Sequence, residues 1–319
     1  MSTPKVHRPQ PASQQGAALL TALLIVTLVA TLAAGALWRQ WQQVETESAE
    51  RTRQQAAWLL IGAQDWARLI LREDARTNQV DHLAEPWAVP LKEARLTTFL
   101  AADRQTSDDI FDAMLSGDIT DLQGRLNVQG LITEESGTGK NSLAWRRLFT
   151  LLQLPLPELN TLMQRLRKRP TGDNGTSGSA SAYPAPTRVE DLGLLGLSPA
   201  TLARLAPYVT VLPQTTLVNL NTAPPEVLFA SLGGIDLSLA QRMAQQRAIT
   251  HFNNLADVRR LFPAANAALD DTVHGVSSRY FEIRGRLRLG DLIVEEHAIV
   301  ERVNPEVRTL TRWRSAPLR

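Results

Sequence analysis

Cysteine is absent from all 319 residues. That excludes a disulfide frame, a cysteine-based zinc site and a thiol nucleophile. Lysine is nearly absent too, present only as Lys5, Lys92, Lys140 and Lys168, so the 34 basic side chains are almost all arginine. Against 32 acidic side chains they leave a formal net charge of +2, less than a chain built mainly to hold nucleic acid carries. Catalytic signatures are missing as well. His7, His82, His251, His274 and His297 are scattered without metal-ligand spacing, and there is no Gly-x-Ser-x-Gly, no P-loop and no Gly-x-Gly-x-x-Gly after a strand. The paired acids Asp108-Asp109, Glu134-Glu135 and Asp270-Asp271 read as solvated pairs that nothing orients for acid–base work. No enzyme and no catalytic residue is expected. Hydrophobic types at 44% and charged types at 21% leave an ordinary globular composition with room for two or more folded units.

What is present is concentrated at the N-terminus. A polar stretch with Lys5, His7 and Arg8 ends at Gly16, and residues 17–37, AALLTALLIVTLVATLAAGAL, carry no charge. About 20 apolar residues suffice to cross a bilayer core of about 30 Å. The basic flank on the N-terminal side leaves the leader in the cytoplasm and the bulk of the chain across the membrane. The stretch is longer than the apolar segment of a secretory signal, and helical character continues beyond Trp38. From Val44 to Leu71 there is no proline and Gly62 is the single glycine. Val44, Ala56, Leu59, Leu60, Ala63, Trp66, Ala67 and Ile70 recur at threes and fours as one apolar face, opposite Glu45, Glu47, Arg51, Arg53, Asp65 and Arg68. One helix from Ala17 to Asp74 would run roughly 85 Å.

Further along, DITDLQGRLNVQGLI (118–132) reads as one or two short strands with a turn at Gln123-Gly124. Residues 141–166 are helical, with Leu143, Leu148, Leu151 and Leu152 on the apolar face, and the glycine- and serine-rich stretch 170–187 has the composition of a flexible loop. Ser198-Pro199 opens a short helix. In residues 218–262, Thr222 is expected to cap a helix starting at Pro224-Pro225, Gly233-Gly234 to bend the chain, and Ser238 to cap the next helix. Residues 277–303 alternate as strands, Phe281, Ile283, Leu287 and Leu289 against Glu282, Arg284, Arg286 and Arg288, with a turn at Gly290-Asp291. Residues 308–314 add an edge strand. Strands, then helices, then strands is the pattern of a helical domain inserted into a sheet.

Gly16 before an uncharged helix that runs into an amphipathic half resembles the class III leader and spine of type IV pilins and pseudopilins. Two internal stretches, Asp121-Leu122-Gln123-Gly124-Arg125-Leu126-Asn127-Val128 and Asn219-Leu220-Asn221-Thr222-Ala223, narrow the likeness to the K-type minor pseudopilins (the GspK family) of type II secretion systems. So does Thr21, which stands where most pilins carry glutamate. The resemblance implies an α+β, pilin-like fold, a long N-terminal helix on a small antiparallel sheet, with a large inserted α-helical domain of SAM or helix-hairpin-helix type. It places a leader at 1–16, the N-terminal helix at 17–75 with its transmembrane part at 17–37, the pilin-like domain at 76–139 and 276–319, and the inserted domain at 140–275.

By the same resemblance a prepilin peptidase cuts between Gly16 and Ala17 and Ala17 is N-methylated. The chain sits in the inner membrane as a single-pass protein with its remainder periplasmic, and its partners at the pseudopilus tip are the I-type and J-type minor pseudopilins. A subunit with no neighbour above it has no use for a buried intramembrane carboxylate, which is costly unless paired. No cofactor is expected apart from calcium, which some K-type pseudopilins hold through loop carboxylates. Asp118, Asp121, Glu134, Glu135 and Asp173 are the candidates, and solvation is the simpler role for each. The rival reading is a membrane-anchored periplasmic DNA-binding protein, since the Asn-x-Asn-Thr-Ala opening is similar to helix-hairpin-helix modules of DNA receptors. There Asp236 stands where a phosphate would approach, and Arg242, Arg247, Arg259 and Arg260 read as a solvated helix face, so no nucleic-acid partner is expected.

Overall fold

The computed structural model describes residues 15–95, 113–134, 137–167, 185–290, 292–303 and 306–315. The described chain opens with one α-helix, α1 (Gln15–Thr77). By compactness it divides into two units, Met1–Trp58 and Leu59–Arg319.

In the first unit every described side chain from Ala18 to Arg51 is exposed. Leucines 20, 24, 28 and 32 are each more than half exposed. A helix that is apolar all round gains stability only when lipid or other helices cover it. Among the described residues this is the one helix long and apolar enough to cross a membrane. The hydroxyls of Thr27 and Thr31 donate back to the carbonyls of Leu24 and Leu28 at 2.9 Å each, so they add no unsatisfied group to the apolar stretch.

In the second unit the rest of α1 lies against a sheet. The strands and helices follow in chain order: β1 (Leu91–Arg95) and β2 (Ala113–Asp121), then β3 (Leu126–Asn127), α2 (Gln129–Thr133), α3 (Lys140–Leu151), α4 (Leu156–Arg167), α5 (Pro199–Leu205), β4 (Val209–Thr210), β5 (Val218–Asn219), α6 (Pro225–Ser231), α7 (Leu237–Ile249), α8 (Leu255–Leu261) and β6 (His274–Gly275). The long strands β7 (Tyr280–Leu289), β8 (Leu292–Val303) and β9 (Glu306–Ser315) close the chain. The sheet has the order β1-β2-β7-β8-β9 and is antiparallel throughout. The helical segments enter between β2 and β7, which are neighbours in the sheet, so they form an insertion rather than a layer of it. This is the α+β architecture expected from the sequence, a long helix and antiparallel sheet with an inserted helical body.

Leu60, Gln64, Ala67 and Leu71 form the buried seam of α1, at spacings of four and three that keep them on one face. Ala67 and Leu71 pack with Trp87, Phe281, Ile283 and Val300. Small residues let helix and sheet approach: a Cβ at Gly285 would lie 3.2 Å from Leu60, and one at the paired Gly117 would lie 2.5 Å from the Arg284 carbonyl oxygen. The seam is rotated from the sequence expectation, leaving Trp66 half exposed at 47%. The polar Gln64 takes an inward position because its Nε2 donates to the buried Glu296 at 2.9 Å.

The helical body has its own core, in which Trp145, Leu148 and Phe149 of α3, Leu159 and Leu162 of α4, and Val227, Leu228 and Met243 of α6 and α7 meet Leu126, Val128 and Leu131. Leu143, expected on the apolar face, is exposed at 41%, because the face is set by Trp145 and Phe149. Two expected caps are made differently. The cap of α7 is Asp236, whose Oδ1 accepts from the Leu239 N–H at 2.7 Å and from the Ser238 hydroxyl at 2.9 Å. α6 begins after Pro224 with no side-chain cap, because the Thr222 hydroxyl is engaged elsewhere.

Candidate functional site

The two short motifs singled out in the sequence meet where the helical body joins the sheet. Asp121 ends β2, and its Oδ1 accepts from the Gln123 N–H at 2.8 Å, folding Leu122–Gly124 into a single tight turn. Its Oδ2 accepts three donors: Thr222 Oγ1 at 2.6 Å, Ser278 Oγ at 2.6 Å and Asn219 Nδ2 at 3.0 Å. Thr222 and Asn219 belong to the helical body, and Ser278 leads into β7. One carboxylate therefore holds three segments. Burial pushes the Asp121 carboxyl upward, while the Ser278 and Thr222 hydroxyls and the Gln123 N–H pull it back. That is the balance of a buried acid stabilised by hydrogen bonds instead of water.

The other motif residues extend the joint. Asn219, fully buried, also donates to the Asp81 carbonyl at 3.1 Å and to Ser278 Oγ at 3.0 Å. Asn221 closes a loop by accepting from the Phe252 N–H and donating to the Phe252 carbonyl, both at 2.9 Å. Gln123 accepts from the Arg279 N–H at 2.7 Å and donates to the Leu217 carbonyl at 3.2 Å. Asn127 donates to the Gln214 carbonyl at 2.7 Å and accepts from the N–H groups of Gln129 and Leu212. Gly124 is required by contact: a Cβ there would lie 2.9 Å from Thr222 Oγ1 and 3.2 Å from the Ala223 nitrogen.

Next to this joint, Arg302 of β8 donates to both oxygens of Asp81 at 2.6 Å, to the Ser278 carbonyl at 2.7 Å and to Asp74 Oδ2 at 3.0 Å. Asp81 in turn accepts from the Ser278 N–H at 2.6 Å. Each acid at the joint is occupied by protein donors, and what the geometry accomplishes is to fix the helical body to the sheet and to the end of α1.

Gly16 and Ala17 lie in the first turn of α1, and Thr21 donates to the Ala18 carbonyl at 3.3 Å. Of the acids considered for calcium, Asp118 pairs with Arg284, Asp121 forms the joint, and Glu134 accepts from the Asn141 and Ser142 N–H groups at 3.1 and 2.9 Å, capping α3. Glu135 and Asp173 lie outside the described residues, as do His7, Asp108 and Asp109. Asp270 pairs with Lys140. His82 and His251 stack with ring centroids 3.8 Å apart. His274 is buried, which lowers it to about 4 and keeps it neutral.

The hairpin between α6 and α7 is occupied by the protein itself. Asp236 takes the Leu239 N–H in the first turn of α7, and Arg147 donates to the Ala230 carbonyl at 2.8 Å with its guanidinium against Gly233. Arg247, expected on a solvated face, turns inward to the Leu220 carbonyl, and burial lowers it to about 10. Arg242, Arg259 and Arg260 are exposed as expected, and Arg260 pairs with Asp257.

Asp74, Asp81, Ser278 and Arg302 were not legible as part of the joint. One signal was available for Arg302: it follows Ala298 and Val300 on the inward register of β8, and an arginine on the buried face of a strand calls for a buried counter-charge.

Comparison with known proteins bears on the same region. The family model "Type II secretion system (T2SS), protein K" matches residues 218–277, the stretch that begins at β5 and ends just before Ser278. Over most of its length the chain is similar to type II secretion system protein K of Pseudomonas aeruginosa, 29% identical over 87% of this chain and 86% of the relative. It is likewise similar to protein K of Pectobacterium carotovorum, at 24% over 94% and 96%, and of Klebsiella pneumoniae, at 29% over 76% and 78%. A chain of the crystal structure of the GspK–GspI–GspJ complex from the enterotoxigenic Escherichia coli type 2 secretion system aligns with a TM-score of 0.66 at 17% identity, covering 84% of this chain and 99% of that one. At that identity the likeness shows the fold.

Proposed function

We propose that the chain, similar over most of its length to type II secretion system protein K and matched by that family's model over residues 218–277, is a minor pseudopilin at the tip of the periplasmic pseudopilus. Its work is structural, and no catalytic role is assigned to any residue. The observation that carries the reading is the helical body inserted between β2 and β7 and fixed there by Asp121 and Asn219. A body of that size on one side of a pilin-like sheet suits the end of a thin fibre, where nothing has to stack above it.

In this reading the apolar part of α1 first anchors the subunit in the inner membrane as a single pass, with the sheet and helical body in the periplasm, and later packs in the fibre core. A prepilin peptidase cuts after Gly16, and the new N-terminus at Ala17 is methylated. Thr21, in place of an acid, leaves the subunit without the buried carboxylate that would pair with a preceding amino terminus, which suits a position with no neighbour above. The I-type and J-type minor pseudopilins are the partners. The related crystal structure is a GspK–GspI–GspJ complex, which supports that choice.

The test is co-isolation. The full chain, tagged at its C-terminus, is expressed in one membrane with the I-type and J-type pseudopilins of the same system and solubilised. Both partners should elute with it in a single species. Elution of the tagged chain alone, under conditions where the other two remain together, would contradict the proposal.

A further inference from the structure

At the foot of α1 the protein gathers more negative charge than it neutralises. Asp74 in the last turn of α1, and Asp81 and Glu85 in the loop that follows, bring carboxylate oxygens within 4.8 Å of one another. Asp74 and Asp81 share one guanidinium, that of Arg302, which also lies over the Phe281 ring at 4.9 Å. Asp81, Glu85 and Arg302 are buried. Glu85 is held by neutral donors: Asn78 Nδ2 at 2.8 Å, Trp87 Nε1 at 2.8 Å and the His82 N–H at 2.9 Å.

The other titratable groups facing the trio come from three directions. Asp121 at the end of β2 is linked to Asp81 through Ser278. His82 in the loop has its Nε2 3.9 Å from Glu85. His251 of the helical body stacks on His82, and burial holds His82 below its ordinary value despite Glu85. Among the described residues Arg302 is therefore the one permanent cation bonded within the trio, and it reaches two of the three carboxylates, Asp74 and Asp81. Like charges this close in a buried setting repel strongly, and binding a proton relieves the repulsion.

We propose that the Asp74–Asp81–Glu85 trio is a proton-operated lock on the joint: one proton, resident on Asp74, tightens the junction of α1, the following loop and β8, and its release loosens that junction. Asp74 is pushed up to about 6, by burial first and then by Glu85 and Asp81, with Arg302 pulling the other way. The sign follows from linkage. A carboxyl raised in the fold contributes stability that is fully present below its unfolded value of 3.8 and is lost as pH rises through about 6. The effect reaches the helical body because Ser278 bonds Asp81 through its N–H, Arg302 through its carbonyl and Asp121 through its hydroxyl.

The test uses the full chain in detergent micelles. Thermal midpoints of the wild type and of Asp74→Asn, which stays neutral and keeps an acceptor for Arg302, are followed from about pH 5 to about pH 7.5. The exposed Asp65→Asn serves as control. The wild type and the control should lose about 3 °C across this range relative to Asp74→Asn. Parallel curves for the wild type and Asp74→Asn would overturn the proposal. If Asp74→Asn fails to fold, hydrogen exchange of the wild type decides. Protection of the amides around Asp81 and Ser278, corrected for the chemical exchange rate, should fall about tenfold over the same range, equivalent to about 1.4 kcal/mol. Unchanged protection would overturn the idea just as firmly.

Discussion

Replacing Asn219 with alanine removes one side chain from the centre of the joint, and its cost can be worked out partner by partner. The Asn219 amide donates to the Asp81 carbonyl, to Asp121 and to Ser278, and its oxygen accepts from the Asn221 N–H at 3.0 Å. Asp121 keeps Thr222 and Ser278 as donors, so its loss is partial. The Asp81 carbonyl and the Asn221 N–H lose a partner in a place water does not reach, at about 1–3 kcal/mol each. With the lost bond to a carboxylate, the total is about 3–5 kcal/mol, at the upper end for a single substitution. The assay is urea unfolding of the full chain in micelles, read by near-ultraviolet circular dichroism, with Asn253→Ala at an exposed position as control and an expected effect within about 0.5 kcal/mol. Combined with Asp121→Ala in a double-mutant cycle, Asn219→Ala should show a coupling of about 1–3 kcal/mol. A cost below about 1 kcal/mol, or additive behaviour of the pair, would refute the view that these motifs form one structural joint.

Other outcomes follow from the same geometry. Gly124→Ala places a Cβ 2.9 Å from Thr222 Oγ1 and 3.1 Å from the Thr222 backbone carbon, and should destabilise by about 1–3 kcal/mol in the same unfolding assay. His297 sits between Glu282 and Glu295 at 2.9 and 3.0 Å and is raised, first by the Glu282 hydrogen bond. Its stabilising contribution is complete below the ordinary imidazole value and is lost as pH rises through the folded one. Imidazole proton shifts should therefore titrate above the ordinary value, and a normal or depressed midpoint would count against the pairing.

Much of the architecture could be read from residue periodicity. The alternation of Phe281, Ile283 and Leu287 with Glu282, Arg284 and Arg286 reappears as buried and less buried positions along β7, because a half-buried strand must alternate. The uncharged stretch after Gly16 is equally plain, since few structures besides a membrane-crossing or fibre-packing helix tolerate it. What failed to show was determined by long-range polar contacts. Thr222 has the local signature of a helix cap, yet its hydroxyl goes to Asp121, 101 positions away. Ser238 looked like the cap of α7, yet the helix opens at Leu237, and Asp236 just before it holds the Leu239 N–H and the Ser238 hydroxyl. Gln64 interrupts an apolar seam and is buried because Glu296 lies opposite on β8. The motifs around Asp121 and Asn219 were visible as motifs, but that they lock together depends on Ser278, Asp81 and Arg302, each brought in by strand register.

The most direct test of the account is the N-terminal mass of the full chain expressed with and without a prepilin peptidase. The account predicts that the peptidase removes residues 1–16 and leaves a chain beginning with methylated Ala17, while the chain expressed without it keeps its leader. A chain that stays whole in the presence of an active peptidase, or is cut within Ala33–Gly35 instead, would contradict the assignment as a pseudopilin.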